Sequence, residues 1–138
     1  KYEVRIRPHP SVPLESVLEI ASVEEPLFFT ASPGPLEDDL EWADVVLYAS
    51  STVGMEAAAR GIPVIHMDLG DFLDADPMSG WNELRWPVDE PSKLKKTIQE
   101  IQDIPTQEFK ERQTKARRYV SSYLQPVTSE AIRAFWES

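Results

Sequence analysis

The sequence DVVLYASSTVGMEAAARGIPVIHM, residues 44–67, contains the pattern that decides the fold. Residues 44–49 form a continuous apolar run, which predicts a buried strand. Val53–Arg60 predicts a helix, and Gly61 is suited to end it because glycine adopts the left-handed C-terminal cap without steric cost. Residues 63–67 predict a second buried strand. Two buried strands joined by a helix predict a parallel pair with a crossover connection.

The alternation of strands and helices extends on both sides of this stretch. Upstream, the patterns predict strands at residues 2–7 and 27–30 and helices at residues 14–21 and 35–43. Downstream, they predict a long acidic loop at 68–83, a short strand at 84–88, helices capped by Ser92 and Thr106, and a last amphipathic helix after Pro126. The sequence therefore predicts an α/β fold, with a Rossmann-like parallel sheet of four to six strands, helices on both faces and a helical C-terminal tail.

Composition excludes several functions. The formal net charge of −10 disfavours general nucleic-acid binding, because an acidic chain repels the phosphate backbone, although a small phosphorylated ligand can still bind a local site. The sequence has no Cys, which excludes disulfides and Cys-ligated zinc. No apolar run reaches the roughly 18 residues of a transmembrane helix. The chain starts at Lys1 and enters a predicted strand at once, which indicates a piece of a longer polypeptide.

Three hydroxyl residues follow the strand at 44–49. Ser50, Ser51 and Thr52 lead directly into the predicted helix, and ligands in open parallel sheets bind beyond the carboxyl ends of the strands. The free N–H groups and the dipole of a helix N-terminus favour anions, so this turn predicts a phosphate site. Gly54 would let a ligand approach the backbone closely. The alternative is plain capping of the helix, for which Ser and Thr are preferred residues.

Glu56 lies off the register of a capping box. A capping box places Glu three residues after the cap, whereas Glu56 follows Thr52 by four and therefore shares its helix face. A carboxylate at that position can accept hydrogen bonds from a ribose diol while the helix start holds the phosphates. The alternative is that Glu56 only compensates the helix dipole.

The two histidines of the sequence are predicted to have different roles. His9 follows the first predicted strand between Pro8 and Pro10, where it could donate a hydrogen bond to a phosphate with help from Arg7. The alternative for a lone histidine is a structural or surface role. His66 lies inside an apolar strand and is predicted to be a packed core residue.

The acidic loop at 68–83 carries two sets of side chains. Its carboxylates lack the glycine and terminal Glu of a calcium loop and predict a solvated acidic loop: Asp68, Asp71, Asp74 and Asp76. Its large apolar residues face either an interdomain cleft or a local core beneath the loop: Phe72, Leu73, Met78 and Trp81. Five basic residues of the helix after Thr106 are predicted to form its solvated face: Lys110, Arg112, Lys115, Arg117 and Arg118.

These motifs resemble a known family. The segments that carry the resemblance are Arg7-Pro-His-Pro10, Ala43-Asp44, Ser50-Ser51-Thr52-x-x-x-Glu56-Ala57 and Gly61-Ile62-Pro63-Val64. Together they resemble the C-terminal domain of GT-B glycosyltransferases, in particular bacterial sialyltransferases, Kdo transferases, polysaccharide-capsule transferases and CDP-glycerol glycerophosphotransferases. The resemblance spans residues 2–125.

The resemblance implies a donor-binding domain. His9 would contact the donor phosphate, Ser51 and Thr52 together with Ser50 would bind phosphate, and Glu56 would hold the ribose. The donor would be a CMP-, CDP- or UDP-linked sugar, with no further cofactor and no metal. The catalytic base of such enzymes lies on the N-terminal acceptor domain, so no catalytic residue is assigned here and this fragment alone is expected to be inactive.

The resemblance also implies a domain layout and a setting. Residues 1–125 would form the nucleotide-sugar-binding domain, and residues 126–138 a helix that packs back on it or on the missing N-terminal domain. The partners would be the nucleotide sugar and that acceptor domain of the same parent chain, without nucleic acid or a transmembrane segment. The parent enzyme would act in surface polysaccharide or glycan biosynthesis. It would lie in the cytoplasm, where it could also bind peripherally at the inner membrane face.

Three other functions are associated with a chain of this pattern. A nucleotide-sugar 2-epimerase would use the same fold and phosphate site but release free sugar and nucleotide. A non-catalytic docking domain would bind no nucleotide. A receiver-type domain needs a phosphate-accepting Asp at the end of its third strand, where this chain has Tyr48-Ala49-Ser50, so the sequence disfavours it.

Overall fold

The computed structural model describes residues 2–23, 28–68, 70, 76–124 and 127–136. The chain divides into two compact units, Lys1–Ala43 and Asp44–Ser138. Within the described part, no helix combines the length and apolar composition that crossing a membrane requires.

The first unit contains two short strands and two helices. Its elements are β1 (Arg5–Ile6), α1 (Leu14–Ile20), β2 (Thr30–Ala31) and α2 (Leu36–Trp42). The two strands pair in parallel, with Arg5 opposite Thr30. Both helices directly follow a proline, whose fixed φ suits the start of a helix. Leu40 is the one buried hydrophobic side chain among the described residues of this unit.

The second unit contains the three-stranded sheet. Its elements are β3 (Val46–Tyr48), α3 (Val53–Arg60), β4 (Val64–Met67), β5 (Arg85–Val88), a 3-10 turn (Pro91–Lys93), α4 (Leu94–Gln102), α5 (Thr106–Tyr123) and α6 (Ser129–Trp136). All strand pairs are parallel in the order β3-β4-β5, with Tyr48 opposite His66. Gly61 ends α3 in the left-handed conformation at φ 84°, which confirms the cap predicted from the sequence.

Helices supply the rest of the core of this unit. Ile65 and Val88 are buried together with Ile101 of α4, and Leu94 and Ile98 pack against them. Since side chains alternate along a strand, the neighbours of Ile65 in β4 point to the opposite face of the sheet.

Helix α3 contacts β3, β4 and α5. Small side chains allow this close packing, because Ala57 and Ala58 of α3 and Ala116 of α5 are fully buried. The strand β3 therefore ends beside a helix whose inner face is fixed by tight contacts.

The α/β class is confirmed, but the predicted sheet is not. The five described strands are divided between a two-stranded and a three-stranded parallel sheet, rather than forming one sheet of four to six strands. The short strand predicted at 84–88 is present as β5, whereas Leu27 of the strand predicted at 27–30 lies outside the described residues. Periodicity indicates that a segment is extended and buried, but it carries no information about which strands pair.

Candidate functional site

The turn between β3 and α3 carries the predicted phosphate-binding residues. β3 ends at Tyr48 and α3 begins at Val53, so Ser50, Ser51 and Thr52 lie beyond the carboxyl end of a parallel strand. Ser50 and Thr52 are exposed and Ser51 is half-buried. This is the edge of a parallel sheet at which ligands bind.

The hydroxyls of this turn have different partners. The Ser51 Oγ accepts a hydrogen bond from the Val53 N–H at 3.2 Å, so Ser51 caps the helix locally. Thr52 has helical backbone angles, φ −65° and ψ −13°, and its side chain makes no capping hydrogen bond. The Ser51 hydroxyl still has its O–H to donate, and the Thr52 hydroxyl has no partner among the described residues, so phosphate binding by either stays a prediction.

Glu56 lies half-buried in the first turn of α3. Its backbone N–H donates to the Thr52 carbonyl oxygen at 3.1 Å, as an ordinary helical bond. Its carboxylate makes no hydrogen bond and no ion pair with any residue that the structure describes. Its oxygens are not among the buried polar atoms that lack a partner, so they are open to solvent. The Glu56 carboxylate is thus free to accept hydrogen bonds from a ligand.

Gly54 packs directly against Tyr48. A Cβ at Gly54 would lie 2.6 Å from the Cζ atom of Tyr48, closer than carbon atoms approach. The aromatic ring of the same unit therefore already requires glycine at this position, and the contact of Gly54 with a ligand stays a prediction.

Arg7 is held by residues of the first unit. Its Nε donates to the Asp39 carboxylate at 2.7 Å, and its terminal nitrogen donates to the Ser32 Oγ at 2.7 Å and to the Gly34 carbonyl oxygen. Burial would raise the pKa of Asp39, but hydrogen bonds from Ser32, Arg7 and Arg5 outweigh it and lower the pKa below 3.8. Arg7 would have to leave these partners, or share its donors, to contact a phosphate.

His9 presents one ring nitrogen to solvent. The side chain is exposed, and its Nδ1 accepts a hydrogen bond from the Ser11 N–H at 3.2 Å. A neutral imidazole that accepts at Nδ1 carries its proton at Nε2, so the outer nitrogen is a donor. The turn thus presents the donor group that the sequence predicted, whereas its phosphate contact stays a prediction.

The predicted site residues fall in both units. Ser50, Ser51, Thr52, Gly54 and Glu56 come together within the second unit. Arg7 and His9 belong to the first unit. Their joint contact with one donor phosphate stays a prediction.

A buried polar cluster in the second unit was not predicted. The Asp76 carboxylate accepts hydrogen bonds from the Tyr48 hydroxyl at 2.8 Å, the Met78 N–H at 2.9 Å and the Arg85 Nε at 2.6 Å. Another Arg85 nitrogen lies 3.2 Å from the Nδ1 of His66. Burial raises the pKa of Tyr48, and the Asp76 carboxylate adds to the shift.

The prediction of a solvated loop is wrong for Asp76, whose side chain is fully buried. The Arg85 guanidinium and two neutral donors replace the water that it loses. His66 is buried as predicted, although in a polar rather than an apolar setting. An arginine at the start of an apolar strand was the available sign, because such a residue needs a buried acceptor.

Two of the large apolar residues of the acidic loop pack within the second unit. Met78 is fully buried. Trp81 is half-buried and its ring stacks on Tyr119, with centroids 4.2 Å apart and planes 8° apart. The local-core alternative is thus correct for Met78, whereas Phe72 and Leu73 lie outside the described residues.

An open pocket lies beside Trp81. It measures about 410 Å³ and is lined by Gly80, Trp81, Asn82, Glu83 and Arg112. Arg112 is half-buried rather than on the solvated face predicted for it, since its guanidinium donates to the Glu83 carbonyl oxygen at 3.4 Å. Four basic residues are exposed as predicted: Lys110, Lys115, Arg117 and Arg118.

No known protein family, curated protein or solved structure matches this chain. Among the described residues, no three His, Asp or Glu side chains are grouped so that they could hold a metal ion. The features that point to a function are therefore the turn between β3 and α3 and the motif resemblance.

Proposed function

We propose that this chain is the donor-binding domain of a GT-B glycosyltransferase and binds a nucleotide sugar at the turn between β3 and α3. The observation that carries the proposal is the half-buried carboxylate of Glu56, which has no partner among the residues that the structure describes. It lies one helical turn from the exposed Thr52 hydroxyl, beyond the carboxyl end of a parallel strand. A carboxylate beside an anion-favouring helix start fits a ligand that carries both a diol and phosphates.

Each group has a role in this proposal. The N–H groups and hydroxyls of Ser50 and Thr52 bind phosphate oxygens, and Glu56 accepts hydrogen bonds from the ribose. His9 presents its Nε2 to solvent in the first unit, and its contact with phosphate stays a prediction taken from the motif resemblance. As the bond to the sugar breaks, these donors stabilise the negative charge that develops on the leaving nucleotide.

The proposed reaction belongs to a longer enzyme. The parent would transfer a sugar, or a polyol phosphate, from its nucleotide carrier to a carbohydrate acceptor held by an N-terminal domain. That domain would also supply the catalytic base. The Rossmann-like character of the fold and the CMP, CDP or UDP identity of the donor belong to the same proposal.

Nucleotide titration tests the proposal. CMP, CDP, UDP, GDP and ADP are titrated into the protein by calorimetry, and at least one is expected to bind. Thr52→Ala should weaken its binding by about 1–3 kcal/mol, the scale of a lost hydrogen bond to a charged group, without changing stability. Thr114→Ala is the matched control, since Thr114 is an exposed helical threonine of α5 whose hydroxyl donates to the Lys110 carbonyl oxygen.

Glu56→Gln separates ribose binding from phosphate binding. The variant should bind the nucleoside diphosphate more weakly and inorganic pyrophosphate as the wild type does, because the ribose is absent from pyrophosphate. An equal loss for both ligands would show that Glu56 supports the turn rather than the ribose. If no nucleotide binds to the folded protein, the donor-binding proposal is wrong and a docking domain becomes the better interpretation.

A further inference from the structure

Tyr48 connects the buried cluster of Asp76 to the start of α3. Its hydroxyl donates to the Asp76 carboxylate at 2.8 Å, and its ring fills the space where a Cβ of Gly54 would lie. The Tyr48 side chain is buried at the end of β3, so its ring has little room to move. A displacement of the ring would be transmitted directly to the first turn of the helix.

Asp76 is itself held from two further directions. The Met78 N–H fixes it from its own loop, and the Arg85 Nε fixes it from β5. Arg85 also contacts the His66 ring of β4. The carboxylate therefore ties together three strands and the loop that follows β4, and the Tyr48 hydroxyl links it to the ring that packs against α3.

The geometry assigns Asp76 a positioning role. Through the Tyr48 hydroxyl it fixes the ring against Gly54, and the ring fixes the backbone of residues 50–54, whose N–H groups and hydroxyls we propose to bind the donor phosphates. For its ligand this inference rests on the proposed function, but the ordering of the turn can be measured without any ligand. Asp76 and Tyr48 touch no substrate and are positioning residues.

Tyr48→Phe tests this role with the least disturbance, because the ring stays in place and only the hydroxyl is removed. Amide hydrogen exchange is measured on the full chain, with and without UDP or CDP. The amides of residues 51–54 are expected to exchange faster in the variant, and nucleotide affinity is expected to fall by up to about tenfold, because a less ordered turn must be ordered on binding.

Asn82→Ala is the matched control. Asn82 accepts from another nitrogen of Arg85 at 3.5 Å, so its removal disturbs the same cluster away from Tyr48. The exchange of residues 51–54 and the nucleotide affinity should stay as in the wild type.

The outcomes separate this inference from the proposed function. Unchanged exchange at residues 51–54 in Tyr48→Phe would overturn the positioning role, and so would equal changes in Tyr48→Phe and Asn82→Ala. Faster exchange in Tyr48→Phe alone, in a protein that binds no nucleotide, would support the positioning role and reject the donor-binding function. Faster exchange together with weaker binding would support both.

Discussion

Asp39 and Asp76 are both held by arginine, but in different surroundings. Asp39 lies in the first unit, where Arg5 and Arg7 contact it and 14% of its side chain is exposed. Asp76 lies in the second unit, where Arg85 contacts it and none of its side chain is exposed. The Asp39 side chain is partly open to solvent, whereas the Asp76 side chain is closed off from bulk solvent. The same pair of residue types therefore organises a surface in one unit and a core in the other.

The second unit also buries more apolar side chains than the first. Buried hydrophobic side chains are concentrated in the second unit, where Ile65, Val64 and Leu84 are fully buried. In the first unit, α1 has no buried residue, and Val17 and Ile20 are exposed. Polar contacts in the first unit thus have little apolar core beneath them, which should make its local stability low.

Removing the carboxylate charge of Asp76 or of Asp39 is expected to give the largest difference in unfolding free energy between the two units. Asp76→Asn leaves the Arg85 guanidinium buried without its counter-charge and should cost about 3–5 kcal/mol. Asp39→Asn should cost about 1 kcal/mol or less, since water can solvate both arginines. Urea unfolding followed by circular dichroism measures both values. Equal losses in the two variants would show that burial does not distinguish the two networks.

Alanine substitutions at two glycines, one in each unit, are expected to give the next largest difference in stability. Gly54→Ala places a Cβ 2.6 Å from the Tyr48 ring, and we expect a net loss of about 1–3 kcal/mol from overpacking, despite the better helix propensity of Ala. Gly34→Ala places a Cβ 2.9 Å from the Asp38 Oδ2, the end of an exposed side chain that can rotate away. Its effect should stay within about 0.5 kcal/mol. Thermal unfolding compares the two variants, and a stabilised Gly54→Ala would contradict the packing described here.

The smallest expected effect is the change in stability of the first unit with pH. Hydrogen bonds from Ser32, Arg7 and Arg5 outweigh burial and depress the pKa of Asp39 in the folded state below 3.8. The stabilisation from this carboxylate is therefore fully present above pH 3.8 and is lost as the pH falls through the folded-state pKa. An NMR titration of the Asp39 carboxyl carbon measures this pKa. Arg7→Gln should raise it, and an unchanged value would remove Arg7 from its causes.

The local part of the fold could be predicted from the sequence. β3, α3 and β4 were predicted because their apolar periods, the hydroxyl turn and Gly61 all lie within a short stretch of chain. The placement of Ser50, Ser51 and Thr52 before a helix followed from the same stretch. Their ligand stays a prediction, because hydroxyls at a helix start serve capping and phosphate binding equally well.

The long-range part could not be predicted. The burial of Asp76, in the loop after β4, depends on Tyr48 of β3 and Arg85 of β5. A pattern of neighbouring acidic residues indicates solvent, and nothing in that pattern shows which one will meet a buried guanidinium. The division of the strands into two sheets has the same origin, since pairing is decided by contacts between distant segments.

Every described strand pair is parallel, and this determines how the chain must fold. Parallel neighbours cannot be joined by a tight hairpin, so each pairing requires a long crossover to close first. The crossover from β3 to β4 contains α3, which gains its own hydrogen bonds as it forms. The crossover from β4 to β5 spans residues 68–84, and closing it costs chain entropy that the pairing of β5 with β4 must offset. The parallel pairing thus makes this sheet depend on non-local contacts, which form more slowly than local ones.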